Sequence, residues 1–280
     1  MVWCFFYGET EVSVPVLCRV IRILRLFLPI FILVACAEQK KEVQESVSTD
    51  ILPKSGAVVS AHAEASKAGT SMFQKGGNAI DAAVATQFAL AVTYPVAGNI
   101  GGGGFAVIHH ADGTNSTLDF REKAPAAYHQ DVFLDSTGEV IRNKSLFTVF
   151  AAGVPGSVAG MWQMHSKYGK LPWADLLTPA IRLAEEGFTL SQSHCKRLNE
   201  YRHYFEGHNL SGARYLMKPA EDWQEGELLV QTDLATLLKE IAQRGRDGFY
   251  SGANASRLTE LVQQRGGLMT KEDLKSYKAV

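Results

Sequence analysis

Between Asn78 and Tyr94 runs Ala79-Ile-Asp-Ala-Ala-Val-Ala-Thr-Gln-Phe-Ala-Leu-Ala-Val92, which is apolar on nearly every side when wound as a helix. Alanine is the strongest helix former, and a helix without a polar face belongs in the middle of a layered domain. Asn78 suits the N-cap, and Tyr94-Pro95 ends the segment. Asp81 falls near the first turn, where a carboxylate favours the positive end of the helix, so it is read as a helix-stabilising charge and not as a catalytic group.

The chain then enters Gly98-Asn-Ile-Gly-Gly-Gly-Gly-Phe105. Glycine permits backbone conformations and approaches that a Cβ would block, so two roles fit: tight packing of helix against strand, or a loop lying on a ligand. A phosphate-binding loop needs a strand before it and a helix after it, with Lys-Ser/Thr in the Walker form. Here the order is reversed and neither residue is present, which excludes a nucleotide site. Phe105-Ala-Val-Ile108, a turn at Asp112-Gly113, and Ser116-Thr-Leu-Asp-Phe-Arg121 then read as a hairpin. At its end stands Arg121. A guanidinium is a fixed two-pronged donor that matches a carboxylate, so Arg121 is the candidate substrate anchor.

Elsewhere, Ala57-Val-Val-Ser-Ala61 reads as a buried strand and Ala65 to Lys75 as a helix stopped at Gly76-Gly77. Ser157 is expected to cap a helix over Val158 to Tyr168, Pro172 and Pro179 to begin two short helices, and Thr232 to cap Leu234 to Gln243. A helix from Ser191 to Phe205 carries His194 and His203, two and a half turns apart and too distant for one metal, so both are read as surface residues. Further helices are expected over Ala253 to Arg265 and from Thr270-Lys-Glu-Asp273. Strands come early and helices dominate later, the pattern of a mixed α and β domain. Hydrophobic residues make up 46% and charged residues 20%, within the globular range, and the formal net charge of −1 with no basic block gives no support to nucleic-acid binding. No cofactor or metal is expected.

The first 36 residues read as a targeting segment. Arg19, Arg22 and Arg25 precede an apolar run, Leu26 to Ala35, of signal-peptide length and too short to span a bilayer. Leu33-Val34-Ala35-Cys36 resembles a bacterial lipobox, so Cys36 is the expected lipidation site, and Ala37 after it leans towards the outer membrane. Cys4 and Cys18 would leave with the signal, and Cys195 then reads as a small buried hydrophobe with no disulfide partner. Residues 37–54 are polar and aperiodic, a flexible linker between lipid and domain.

Five stretches together resemble successive signatures of the gamma-glutamyltransferase (glutathione hydrolase) family. They are Gly76 to Ala85, Gly98 to Phe105, Asp119 to Pro125, Gly153-Val-Pro-Gly-Ser-Val-Ala-Gly160 and Gly266 to Leu274, spread over residues 55–280. The resemblance implies an α/β (α+β) fold, the αββα sandwich of N-terminal nucleophile hydrolases, incomplete in this chain. It also implies a proenzyme that cuts itself into two subunits, and a threonine that attacks the gamma-glutamyl amide of glutathione and related compounds. The arginine of Asp-Phe-Arg-Glu, here Arg121, would hold the α-carboxylate. No Thr-Thr pair and no Thr-x-His occurs in the 280 residues, so the nucleophile and the small subunit are expected beyond Val280. The chain alone is accordingly expected to be inactive, and insoluble or partly unfolded. Two other functions compete: a cephalosporin-type acylase, which would have no use for an α-carboxylate anchor, and a lipid-anchored binding module that holds an anion without chemistry.

Overall fold

The computed structural model describes residues 56–207, 218 and 221–280. The expected signal segment, Cys36 and the linker lie outside the described residues. Helices α1 (Ala63–Gln74) and α2 (Ala79–Thr93) lead into a hairpin of β1 (Phe105–His109) and β2 (Asn115–Asp119). A short α3 (Lys144–Phe147) follows, then α4 (Ser157–Tyr168), α5 (Trp173–Glu186), β3 (Phe188–Thr189), α6 (Gln192–Gly207) and β4 (Leu228–Leu229). The C-terminal helices are α7 (Thr232–Arg244), α8 (Asp247–Tyr250), α9 (Gly252–Gln264) and α10 (Lys271–Ser276).

Helix α2 is buried as its composition requires: Val84, Ala85, Phe88, Ala89 and Val92 are sealed from water by α1, α4 and α5. The approach of α1 is close because Gly69 faces Thr86; a Cβ at Gly69 would lie 2.2 Å from the Thr86 hydroxyl. On the far side Trp173 joins three helices, edge-on to Phe88 of α2 and Trp162 of α4, while its indole N–H donates to the Ile241 carbonyl of α7 at 2.9 Å. A buried indole with its donor satisfied adds specific geometry to its large apolar burial.

The N-terminus of α2 carries the chief polar device of the core. Asn78 caps it by accepting from Ile80 and Asp81, and Asp81 accepts back from the Asn78 N–H, a reciprocal capping box. Asp81 is wholly buried, and its carboxylate also accepts the Lys170 and Leu171 N–H groups at 3.0 to 3.3 Å. One side chain therefore closes the helix and fastens it to the α4–α5 turn. At the other end, buried Gln231 donates its side-chain N–H to the Val92 carbonyl and its backbone N–H to Ala184 at the end of α5, each at 2.8 Å.

The hairpin pairs Phe105 with Asp119 through to His109 with Asn115, turning at Gly113 with φ +84°. Alternation puts Ala106, Ile108 and Leu118 against the helices. The opposite face is open, with Phe105 66% and Val107 79% exposed.

Several expectations need correction. Residues 57–61 do not form a buried strand: among the described residues no backbone pairs with them, and Val59 is 95% exposed. Pro179 does not start a helix but lies inside α5. The proline removes one intrahelical bond in the middle of the helix, and burial of Leu176, Leu177, Ala180 and Ala184 on one stripe holds it continuous. Ser157 is the first helical residue of α4, with Gly156 as N-cap, because the Gly102 carbonyl takes the N–H groups of both at 2.7 and 2.9 Å. Gln231, tethered as above, takes the N-cap place expected of Thr232. His194 is half-buried and not a surface residue; its ring packs 4.8 Å from His62 and 6.0 Å from Phe188. The side chain of His203 lies outside the described residues.

Asp81→Ala strands several buried N–H donors and is expected to destabilise the protein by about 2–4 kcal/mol, read from urea denaturation. The histidine pair makes stability depend on pH. Burial is the main cause holding both rings below their ordinary value of 6.5, with His194 and Lys67 adding to it at His62 against Glu64, and Arg197 adding to it at His194. His62 also accepts the Glu64 N–H as cap of α1, a role that a proton on Nδ1 abolishes. The unfolded chain binds these protons more readily, so stability is complete above about pH 6.5 and declines as pH falls below it. The pair His62→Asn with His194→Gln keeps a capping oxygen and should flatten the change in denaturation midpoint between about pH 7.5 and about pH 5.

Candidate functional site

Strand β2 ends at Asp119, and the chain continues through buried Phe120 to exposed Arg121. The path is set by glycine on both flanks. A Cβ at Gly103 would lie 2.4 Å from the Phe120 carbonyl oxygen and 2.7 Å from the Arg121 Cα; at Gly156 it would lie 1.9 Å from the same carbonyl. None of Gly101 to Gly104 has positive φ, so these glycines serve close approach and not a left-handed backbone. Gly101 differs, because nothing lies within 4 Å of where its Cβ would stand.

Arg121 is held through its backbone. Its N–H donates to the Asp119 carboxylate at 2.8 Å, and its carbonyl accepts from the Tyr277 hydroxyl at 2.7 Å. Asp119 is itself fixed, since it and Val280 exchange both backbone hydrogen bonds, 2.6 and 2.8 Å, as an antiparallel pair. The guanidinium lies over the Phe105 ring, its centre 5.8 Å away, and among the described residues no carboxylate lies within ion-pairing distance of it. An exposed, backbone-fixed guanidinium that the described residues leave without a carboxylate has the geometry to bind one from outside in a two-pronged fashion.

Of the residues singled out from sequence, Arg121 and the glycine loop come together, because Gly103 abuts the arginine backbone. Asp81 is structural, as expected. Cys195 is buried in α6, and burial, with Glu227 second, pushes its thiol up, so it stays protonated and packs as a small hydrophobe. Among the described residues no group of three His, Cys, Asp or Glu side chains could hold a metal, and no helix is long and apolar enough to cross a membrane. Two parts of the site were missed. Asp119 stands two residues before Arg121, a spacing at which an aspartate commonly accepts a backbone N–H, and that signal was available. Tyr277 is 156 residues away from Arg121, and nothing local in the sequence marks it.

The family model for gamma-glutamyltranspeptidase matches residues 65–280. A glutathione hydrolase proenzyme from Pseudomonas sp. (strain A14) is 46% identical over 225 residues, 80% of this chain and 39% of that protein. The crystal structure of Helicobacter pylori gamma-glutamyltranspeptidase superposes with TM-score 0.77 at 48% identity, covering 80% of this chain and 64% of that one. Cephalosporin acylase from Bacillus halodurans is more distant, at 28% identity and TM-score 0.70 over 77% of this chain and 41% of that one. The chain spans about two-fifths of the length of the curated relatives it matches. These neighbours agree with the mixed helix and sheet observed, part of the N-terminal nucleophile hydrolase sandwich. By sequence and by structure, the chain belongs to the gamma-glutamyltranspeptidase family.

Proposed function

We propose that the protein at its relatives' full length is a gamma-glutamyltransferase and glutathione hydrolase, and that Arg121 binds the α-carboxylate of the gamma-glutamyl group. The observation that carries this is the Arg121 guanidinium, exposed and without a carboxylate partner among the described residues, on a backbone clamped at both its N–H and its carbonyl. The nucleophile is a threonine beyond Val280, freed as an N-terminus by self-cleavage. Its own α-amino group, with an ordinary pKa near 8, takes the hydroxyl proton as the oxygen bonds to the amide carbon. The C–N bond breaks, the proton passes to the leaving amine, and the ester is resolved by water or by an amino acid or peptide.

The open face of the hairpin at Phe105 and Val107, and the exposed Val59, unpaired among the described residues, support a second layer from the small subunit of the same proenzyme. The motif Leu33 to Cys36 supports export with a lipid anchor on Cys36, placing the domain on the periplasmic side, with the outer membrane favoured. On this proposal residues 1–36 are removed or modified, 37–54 act as tether, and 55–280 contribute part of the large subunit.

Arg121→Lys replaces a bidentate donor by a point charge and is expected to lower kcat/KM for a gamma-glutamyl anilide by about 2–4 kcal/mol of transition-state stabilisation. An unchanged value removes Arg121 from the site. The same assay divides the glycines. Gly103→Ala forces a Cβ into the Phe120–Arg121 backbone and should lower both activity and stability, whereas Gly101→Ala should leave the unfolding free energy within about 0.5 kcal/mol of the parent. A loss of kcat/KM at Gly101→Ala without loss of stability would return the loop to the role of ligand contact.

A further inference from the structure

The Tyr277 hydroxyl donates to the Arg121 carbonyl across most of the described chain, at 2.7 Å. Its ring does not reach there by chance of a flexible side chain. Tyr277 is buried, stacked at 9° on the Tyr250 ring with centroids 5.9 Å apart, and covered by the Lys123 ammonium 5.3 Å from its own centroid. Its backbone is fixed too: the Arg246 guanidinium donates to the carbonyls of Lys275 and Tyr277, each at 2.8 Å, at the end of α10. Tyr250 is anchored in turn by donating to the Pro155 carbonyl at 2.7 Å, beside Gly156. Space at Gly156 is part of the device, since a Cβ there would stand 2.3 Å from the Tyr277 oxygen.

We propose that Tyr277 is a positioning residue for the substrate: by holding the Arg121 carbonyl while Asp119 holds the Arg121 N–H, it aims the guanidinium at the incoming carboxylate. This rests on the assignment of Arg121 as the α-carboxylate anchor. The physical need is plain. Arg121 has left the strand ladder, and a long side chain on a loose loop loses conformational entropy on binding; fixing the peptide groups on both sides of its Cα beforehand reduces that cost. Tyr277 is suited to the task because it stays a donor. Burial, with Asp119 and Glu122 as lesser causes, pushes its hydroxyl up to about 12, so it keeps its proton throughout the range in which the enzyme would work. Residues Arg246, Tyr250 and Tyr277 thereby tie the C-terminal helices to the site.

The test is steady-state kinetics of the protein at its relatives' full length, with Tyr277→Phe, Arg121→Lys and the double variant. Substrates are a gamma-glutamyl anilide and a 4-aminobutyryl anilide, which lacks the α-carboxylate. Tyr277→Phe is expected to raise KM for the gamma-glutamyl substrate about three- to tenfold with little change in kcat, to leave the 4-aminobutyryl substrate unaffected, and to add less than about twofold once Arg121 is lysine. Equal losses on both substrates, or full additivity with Arg121→Lys, would show a merely structural tyrosine and overturn the proposal. So would an unchanged KM beside a damaging Arg121→Lys. If Arg121→Lys itself is silent, the anchor assignment fails first and this proposal falls with it. Should Tyr277→Phe not accumulate, Asp119→Ala frees the Arg121 backbone on its N–H side, and the same split between the two substrates decides.

Discussion

A carboxylate with no access to water closes the N-terminus of a helix that has no polar face, and the rest of the domain is arranged to make that possible. Helix α2 is buried except along a stripe through Ala79, Ala83 and Gln87, and in its first turn Ile80 and Asp81 are buried, where an unsatisfied N–H donor costs more than the hydrogen bond itself contributes. Asp81 answers with its position inside the capping box and then accepts the N–H groups of Lys170 and Leu171 from the turn between α4 and α5. A buried charge is tolerable only when so surrounded. The consequence is architectural: α4 and α5 must pack where they do, and Trp173 at the start of α5 then falls between Phe88, Trp162 and the Ile241 carbonyl.

From the other end of α2 the chain has to pass into the hairpin within a few residues, and glycine makes the passage. Gly98 lies so close to the Leu90 carbonyl that a Cβ would stand 2.0 Å from it, and Gly103 lies as close to Phe120. The segment that follows β2 is thereby pressed against the core at Phe120 while the Arg121 side chain faces out. Packing also sets the geometry of the cation: the tighter the backbone at Phe120, the better defined the origin from which the guanidinium extends. Tyr277 and Asp119 complete that definition.

Much of this was legible in the residues. The caps at Asn78 and Thr270, the buried α2, and the hairpin with its turn at Asp112-Gly113 all depend on signals a few residues long: an oxygen that meets nearby N–H groups, a period of two or 3.6, a glycine at positive φ. Residues 57–61 carry an apolar run that no described backbone pairs with, and the other errors fall where a distant partner overrides a local preference. Pro179 favours a helix start, yet four buried side chains on one stripe carry α5 through it. Thr232 favours a cap, yet Gln231 is tied by two bonds to α2 and α5. His194 looks exposed on its own helix and is covered by His62 from another.

The sequence by itself determined the helical and hairpin elements, the family resemblance and the one cation worth following, because each of these is written in short-range spacing or in residue types whose chemistry is their own. Tertiary structure alone decided what Asp81 holds together, why the glycines are needed, and what holds the Arg121 backbone. Those answers rest on atoms brought within 3 Å by folding from positions as much as 156 residues apart, and no local pattern records such a meeting.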